Sequence, residues 1–377
     1  MAAGCPAGIV FDVRHDRPGI ANPFKATPLT VSPAQLQGAI AVLKTPPSGP
    51  ATFTLRYYLG ATLLALDLGA TAGSPFKLQI EPENHDLRRV VAEAFGVAVP
   101  CLLARRDLGA YISSFVQMSG SMLRRPRRGG RRFRPDMYFD SPVGRSLIEC
   151  KGTTWAASRS RMLNAARKQV KFAKLVSGHV AGRYVSCTSI PLAAHWGSPM
   201  IWAGDPVGED SPAPTMVVED RVADKARLLH YSRIANMLGL SSLATNCLSR
   251  AGEPVREAKP RVDAESEVYS AAQNLVTIGG RKCIAIRMEF PISSPNVPTA
   301  LRCGRYLLEL GLDEGIARDL LKAEGPSYQH MDSNGTKGPL EGTLDDGVGV
   351  RITATSDGEA LNPMDWWRFG RGSEAKR

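Results

Sequence analysis

Five absences narrow this 377-residue chain before any motif is considered. Its seven cysteines form no Cys-x-x-Cys, and its six histidines (His15, His85, His179, His195, His230, His330) are scattered. Neither set has zinc-ligand spacing, so a structural zinc module is excluded. No Gly-x4-Gly-Lys-Ser/Thr loop occurs, so no ATP-driven motor is implied. Ser, Cys and His assemble into no recognisable nucleophile signature. Long apolar runs are also missing: the longest, near Leu59–Leu68, is too short to span a bilayer, and no membrane partner is expected. The first residues, Met1-Ala2-Ala3-Gly4-Cys5, have neither a basic region nor a sustained apolar stretch, so no signal peptide is expected. An odd number of cysteines without framework spacing suits a reducing compartment, and the expected location is cytoplasmic.

What the chain has in excess is positive charge, concentrated in one place. The formal charge is +11, with a pI near 9.4. Residues 101–190 hold 18 Lys+Arg against 4 Asp+Glu, while the remainder is slightly acidic. Arg124, Arg125, Arg127, Arg128, Arg131, Arg132 and Arg134 fall within eleven residues, and Pro126, Gly129 and Gly130 interrupt any regular element. Such a segment suits phosphate contacts, which give salt-dependent and largely sequence-independent affinity. A basic interaction tail or solubilising loop is the other reading of the same residues.

Directly after the arginines come Pro135-Asp136, then the apolar Met137, Tyr138 and Phe139. A turn-rich cluster, Asp140-Ser141-Pro142-Val143-Gly144, separates these from Leu147-Ile148-Glu149-Cys150-Lys151. Apolar runs around a turn cluster predict a hairpin with a loop of several residues. Strand alternation puts Glu149 and Lys151 on one face, with Ile148 and Cys150 pointing into a core on the other. If the partner strand brings Asp136 alongside, its carboxylate can join Glu149 on one divalent cation. Magnesium takes hard oxygen ligands and is normally held by one or two carboxylates plus substrate phosphate. Lys151 can then orient or deprotonate a water, or stabilise charge developing on the phosphorane. On an ordinary surface hairpin the same residues would be separate solvated charges.

The pattern Pro135-Asp136 followed by Glu149-Cys150-Lys151 resembles the PD-(D/E)xK signature of the restriction-endonuclease-like nuclease superfamily. The resemblance covers residues 80–205, about a third of the chain. It implies an α/β fold: a restriction-endonuclease-like core with a central mixed sheet flanked by helices. It also implies Mg²⁺ (or Mn²⁺) held by Asp136 and Glu149, with Lys151 as the third catalytic residue. Many members place an acidic residue on an upstream helix, and Glu93, within Asn84–Phe95, is the candidate. Many also carry a polar residue on the helix after the lysine strand, and Gln169 is the candidate there.

That helix is expected over Ser158–Val176, which contains no Gly or Pro. Its apolar face reads as Met162, Ala165, Ala166, Gln169, Phe172, Ala173 and Val176. Lys168 and Lys171, on the rest of its surface, join the seven arginines as candidate nucleic-acid contacts. Strands are expected at Gly182–Ile190 and Pro199–Ala203, and a boundary at the Pro-, Gly- and Asp-rich stretch Gly204–Pro214. The resulting division is a Pro-rich or β lead-in (1–80), a nuclease core (81–205), a mainly helical accessory region (206–330) and a partly disordered tail (331–377). In the accessory region Val217–Leu238, Glu265–Val276 and Pro298–Glu324 read as helical and Lys282–Phe290 as a strand. A homodimer or partner protein would engage this region.

The leading expectation is therefore a Mg²⁺-dependent endonuclease hydrolysing DNA phosphodiester bonds. The resemblance suggests a setting in bacterial defence (restriction) or mobile-element processing. A nuclease effector toxin acting on rival cells shares the chemistry. A non-catalytic nucleic-acid-binding protein is the alternative of a different class.

Overall fold

The computed structural model describes residues 8–17, 22–46, 51–69, 75–117, 135–142, 144–172, 180–205, 220–253, 262–292, 304–322, 340–344 and 346–355. The first part of the chain runs β1 (Ile9–His15), β2 (Leu29–Val31), α1 (Pro33–Lys44), α2 (Ala51–Gly69), α3 (His85–Leu108), β3 (Val116–Gln117), β4 (Met137–Ser141), β5 (Gly144–Thr153), α4 (Arg159–Phe172), β6 (Gly182–Ser189) and β7 (Met200–Gly204). Their strands form one seven-stranded sheet in the order β2-β1-β7-β6-β5-β4-β3. The pairs β1/β7 and β5/β6 are parallel and the rest antiparallel. The chain is thus α/β, with a mixed sheet flanked by helices.

Local chemistry accounts for the helices. Ser32 accepts from Gln35 N at 3.2 Å while Gln35 Oε1 accepts from Ser32 N at 3.0 Å, a closed capping box with Pro33 at the first helical position. Asn84 caps α3, accepting from Leu87 N at 3.1 Å, and Gly109 ends it at φ 64°, a left-handed conformation that suits glycine. The apolar runs Phe53–Tyr58 and Leu63–Leu68 belong to the single helix α2 and not to a β unit, and Gly60 between them does not break the helix. Among the described residues of the lead-in, β1 and β2 are the strands, and both belong to the main sheet.

The hairpin is tighter than its turn-rich sequence implies. β4 and β5 pair through Tyr138↔Leu147 to Ser141↔Gly144, with Gly144 at φ 111°. Asp140 is a buried strand residue whose carboxylate receives Arg145 Nε at 3.1 Å. That ion pair spans the turn and lets a polar sequence stay in the sheet. β5 is covered on both faces, with Leu147, Ile148, Glu149 and Cys150 all buried, as is usual for a strand with a parallel neighbour. On α4 the buried stripe is Leu163, Ala166 and Val170, not the stripe read through Ala165 and Gln169. Ala165 is exposed, so the helix is rotated from that reading by about one residue.

The C-terminal half is helical only at first. α5 (Asp220–Met237), α6 (Ser241–Arg250) and α7 (Ala264–Ala271) precede β8 (Val276–Ile278), β9 (Arg281–Ile292), β10 (Gly304–Asp313), α8 (Glu314–Asp319), β11 (Glu341–Thr343) and β12 (Val348–Thr355). The strands form a second, antiparallel sheet ordered β11-β12-β10-β9-β8. Of the stretch expected to be one helix, 298–324, the described residues begin as strand β10 and only Glu314–Asp319 is helical. The leucines of β10 favour helix, but Glu309 is held across the sheet by Arg287 on β9 (3.0 Å) and Arg351 on β12 (2.5 Å), so tertiary pairing overrides propensity. Part of the expected disordered tail, β11 and β12, is likewise in this sheet.

α1 joins the two halves. A Cβ on Gly38 would come 2.9 Å from Val350 Cγ2 and 3.0 Å from Leu344 Cδ1, so the helix backbone lies against the second sheet. Inside, Gln37 Nε2 donates to Thr62 Oγ1 of α2 at 3.0 Å. Fully buried His230 of α5 meets Asp346 beside β12 at 2.7 Å. One apolar cluster runs through both sheets. Among the described residues, no helix is long and apolar enough to cross a membrane.

α3 crosses β5 at backbone contact. A Cβ on Gly96 would sit 2.6 Å from Gly152 N, and one on Gly152 would overlap the Ala92 carbonyl oxygen. Gly152→Ala is expected to lower unfolding free energy by about 3 kcal/mol or more, since backbone cannot yield as a side chain does. Urea denaturation measures this; a variant as stable as wild type would show that the close approach is absent.

Candidate active site

Asp136 lies just before β4 and Glu149 and Lys151 lie on β5, so pairing of the hairpin brings the two halves of the motif together. The contact is reciprocal. Asp136 N donates to Glu149 Oε2 at 2.8 Å, and Cys150 N donates to Asp136 Oδ2 at 2.9 Å. Each carboxylate is therefore fixed by the other strand's backbone. Lys151 Nζ donates to Glu149 Oε1, on the shared face that alternation requires. The Glu149 side chain is fully buried and that of Lys151 is 26% exposed, so the lysine reaches from the strand to the open side.

That side is a cavity of about 570 Å³. Asp136, Cys150, Lys151 and Gly152 line one wall. Glu93 of α3 lines another, delivered by the Gly96–Gly152 contact one turn further along the helix. Glu93 Oε1 accepts from Lys44 of α1 at 2.5 Å and from Tyr58 of α2 at 2.9 Å. The Lys44 ammonium also lies 4.8 Å from the centre of the Tyr58 ring. Arg89, with a side chain 73% exposed, stands at the rim.

Burial and pairing set the charge states. Burial, together with the Asp136 charge, pushes Glu149 up to about 7, with Lys151 opposing part of the rise. Burial works against the Lys151 ammonium, but Glu149 and Asp136 overcome it and its pKa lies above the ordinary lysine value. Burial also opposes ionisation of Glu93, yet Lys44, then Tyr58 and Arg89, hold its carboxyl below the usual range. Tyr58 is pushed up by burial and by Glu93, so it remains a donor. Cys101 and Cys150 are pushed well up by burial, which leaves both as neutral filler beneath the site.

Of the residues singled out from sequence, Asp136, Lys151 and Glu93 therefore line one cavity, while Glu149 is fully buried and reaches it only through its contacts with Asp136 and Lys151. Gln169 is half-buried on α4 and does not line the cavity, so it is not assigned to it. Lys168 is exposed on the same helix, away from the cavity lining. Arg124, Arg125, Arg127, Arg128, Arg131, Arg132 and Arg134, and the side chain of Lys171, lie outside the described residues. Lys44, Tyr58 and Arg89 were not anticipated. The Ser32-Pro33-Ala34-Gln35 capping box announces α1, but no local signal says that Lys44 in its last turn reaches Glu93, 49 residues further on. Two carboxylates of hard oxygen fit a magnesium ion completed by substrate and water. Among the described residues no group of three or more His, Cys, Asp and Glu is gathered tightly enough to form a cage on its own.

The raised Glu149 pKa has a sign that can be tested. Folded protein binds a proton that unfolded protein releases between pH 4.5 and about 7, so stability falls as pH rises across that window. In metal-free buffer Glu149→Gln should gain stability relative to wild type between pH 5 and 8, by on the order of 2–3 kcal/mol. Urea unfolding at both pH values measures the difference; a constant offset would mean that Glu149 titrates normally. No family model, curated protein or solved structure matches this chain.

Proposed function

We propose that this protein is a metal-dependent nuclease acting on DNA through Asp136, Glu149, Lys151 and Glu93, on a core of the restriction-endonuclease-like type. The observation that carries the reading is the interlocked contact of buried Glu149 with Asp136, which lines an open cavity together with Lys151 and Glu93. A surface hairpin of solvated charges would need neither the burial of Glu149 nor the cavity. The cavity volume lies in the range of small-ligand sites and is ample for a phosphate with its sugar. The basic excess of residues 101–190 supplies the electrostatic attraction that a phosphodiester substrate requires.

In this mechanism Asp136 and Glu149 would hold Mg²⁺ through carboxylate oxygens. When bound, the ion supplies Lewis acidity toward a phosphoryl oxygen and a more acidic water. Lys151 keeps its proton, so its role is to stabilise negative charge building on the phosphate and to orient the attacking water, not to act as a base. Glu93, ionised and facing the cavity, can accept a hydrogen bond from that water. Lys44 and Tyr58 hold Glu93 in position. Protonation of Glu149 competes with ion binding, so activity should climb as pH passes about 7.

Wild type should nick or linearise plasmid DNA only with Mg²⁺ or Mn²⁺, and EDTA should abolish cleavage. Lys151→Ala and Asp136→Asn should each lower the rate at least about 100-fold, the scale of losing one electrostatic group at a reacting phosphate. Glu93→Gln should cost less, on the order of tenfold. A protein that retards DNA in a gel, with or without EDTA, but cuts neither DNA nor RNA would instead be a binding module.

A further inference from the structure

Beyond β5 the chain exposes aromatic surface that the catalytic reading does not use. Trp155 is 57% exposed and Trp196 is 97% exposed. Two loops contribute: Trp155 follows β5, and His195-Trp196 follows β6. The His195 ring stacks on Trp155 with centroids 6.1 Å apart and planes 26° from parallel. His195 is anchored, with Nδ1 3.4 Å from the Thr154 carbonyl and its own carbonyl accepting from Lys77 Nζ at 3.0 Å. Water is a poor solvent for an indole face, so an exposed stack held in place by hydrogen bonds is a surface built to be covered.

Its position says by what. Trp155 is four residues from Lys151, so no more than about 14 Å of chain separates the stack from the cavity wall. Arg88 bridges the two. Its guanidinium donates to Thr154 Oγ1 at 3.2 and 3.3 Å, while its neighbour Arg89 stands at the cavity rim. The stack is thus cationic as well as aromatic at its base: Arg88 is bound to Thr154 and Lys77 to the His195 carbonyl, with Arg89 further off at the cavity. Aromatic faces amid positive charge match unstacked bases on a phosphate backbone, since every base has a π-face and every nucleotide a charge. An apolar peptide would gain nothing from the cations, and an intact duplex hides its base faces.

We propose that Trp155, with His195 and Trp196, is a base-stacking platform that holds unpaired nucleotides leading into the cavity, so that single-stranded or frayed nucleic acid is the preferred substrate. The proposal names the substrate class of the nuclease reading and rests on it for biological purpose, but binding itself needs no catalysis.

The test is anisotropy of fluorescent twelve-residue oligothymidylate and of a hairpin duplex of equal length, in EDTA at fixed salt. Wild type should bind the single strand more tightly. Trp155→Ala/Trp196→Ala should weaken single-strand binding roughly ten- to hundredfold, the scale of losing two base stacks. Duplex binding should change less than twofold, and the salt dependence should persist, because no phosphate contact is removed. Trp→Phe at both positions should restore most of the affinity, which separates stacking from folding damage. Equal binding of both oligonucleotides, an unchanged double variant, or a Phe variant as weak as the Ala variant would each overturn the platform. Single-strand preference without any metal-dependent cleavage would leave the platform standing and remove the nuclease reading. Cleavage without that preference would do the reverse.

Discussion

Two glycines set how closely α3 can lie on β5, and the site follows from that distance. With side chains at Gly96 and Gly152 the helix would have to stand off, because each Cβ would enter the other element's backbone. At contact distance, the turn of α3 before the crossing carries Glu93 over Lys151, and the turn before that carries Arg88 and Arg89 to Thr154 and the cavity rim. A glycine directly after the motif lysine is thus a packing device that brings Glu93 to the cavity lined by Asp136 and Lys151.

The charges at this contact are arranged so that none is buried alone. Glu149 has Lys151 and the Asp136 backbone, and Glu93 has Lys44 and Tyr58. Desolvating an unpaired carboxylate would be far costlier than desolvating a paired one. The pairing is incomplete for Glu149, whose pKa rises despite its lysine, because burial and, after it, the nearby Asp136 charge outweigh the lysine. Strained electrostatics of this kind is what a divalent cation relieves, and it is commoner at working sites than in structural ion pairs. Arg145–Asp140 and His230–Asp346 are the contrast: buried pairs, distant in role, that fix a turn and tie α5 to the second sheet.

The second sheet bears on the site indirectly. It packs on α1 through Val350 and Leu344, and α1 in turn presents Lys44 to Glu93. A substitution in β12 can therefore reach the cavity through one helix, without touching any residue of the motif.

The sequence by itself determined the short-range features. Hydrophobic alternation and turn residues located β4, β5, β6 and β7, the absence of breakers located α4, and the spacing of Asp136, Glu149 and Lys151 marked the motif, because each depends on neighbours within a few residues. α3 was legible only as Asn84–Phe95 and runs on through Gly96 and Pro100 to Leu108. Tertiary structure decided what depends on distant ones. β10 is a strand because Arg287 and Arg351 hold Glu309 from either side, and propensity alone favoured helix there. Asp140 is a sheet residue and not a loop residue because Arg145 neutralises it. Lys44 and Tyr58 belong to the cavity because α1 and α2 are layered on α3, and Gln169 does not because α4 is rotated by about a residue from its apparent phase. Local periodicity carries no information about which helix will lie on which strand, and that choice assembles the site.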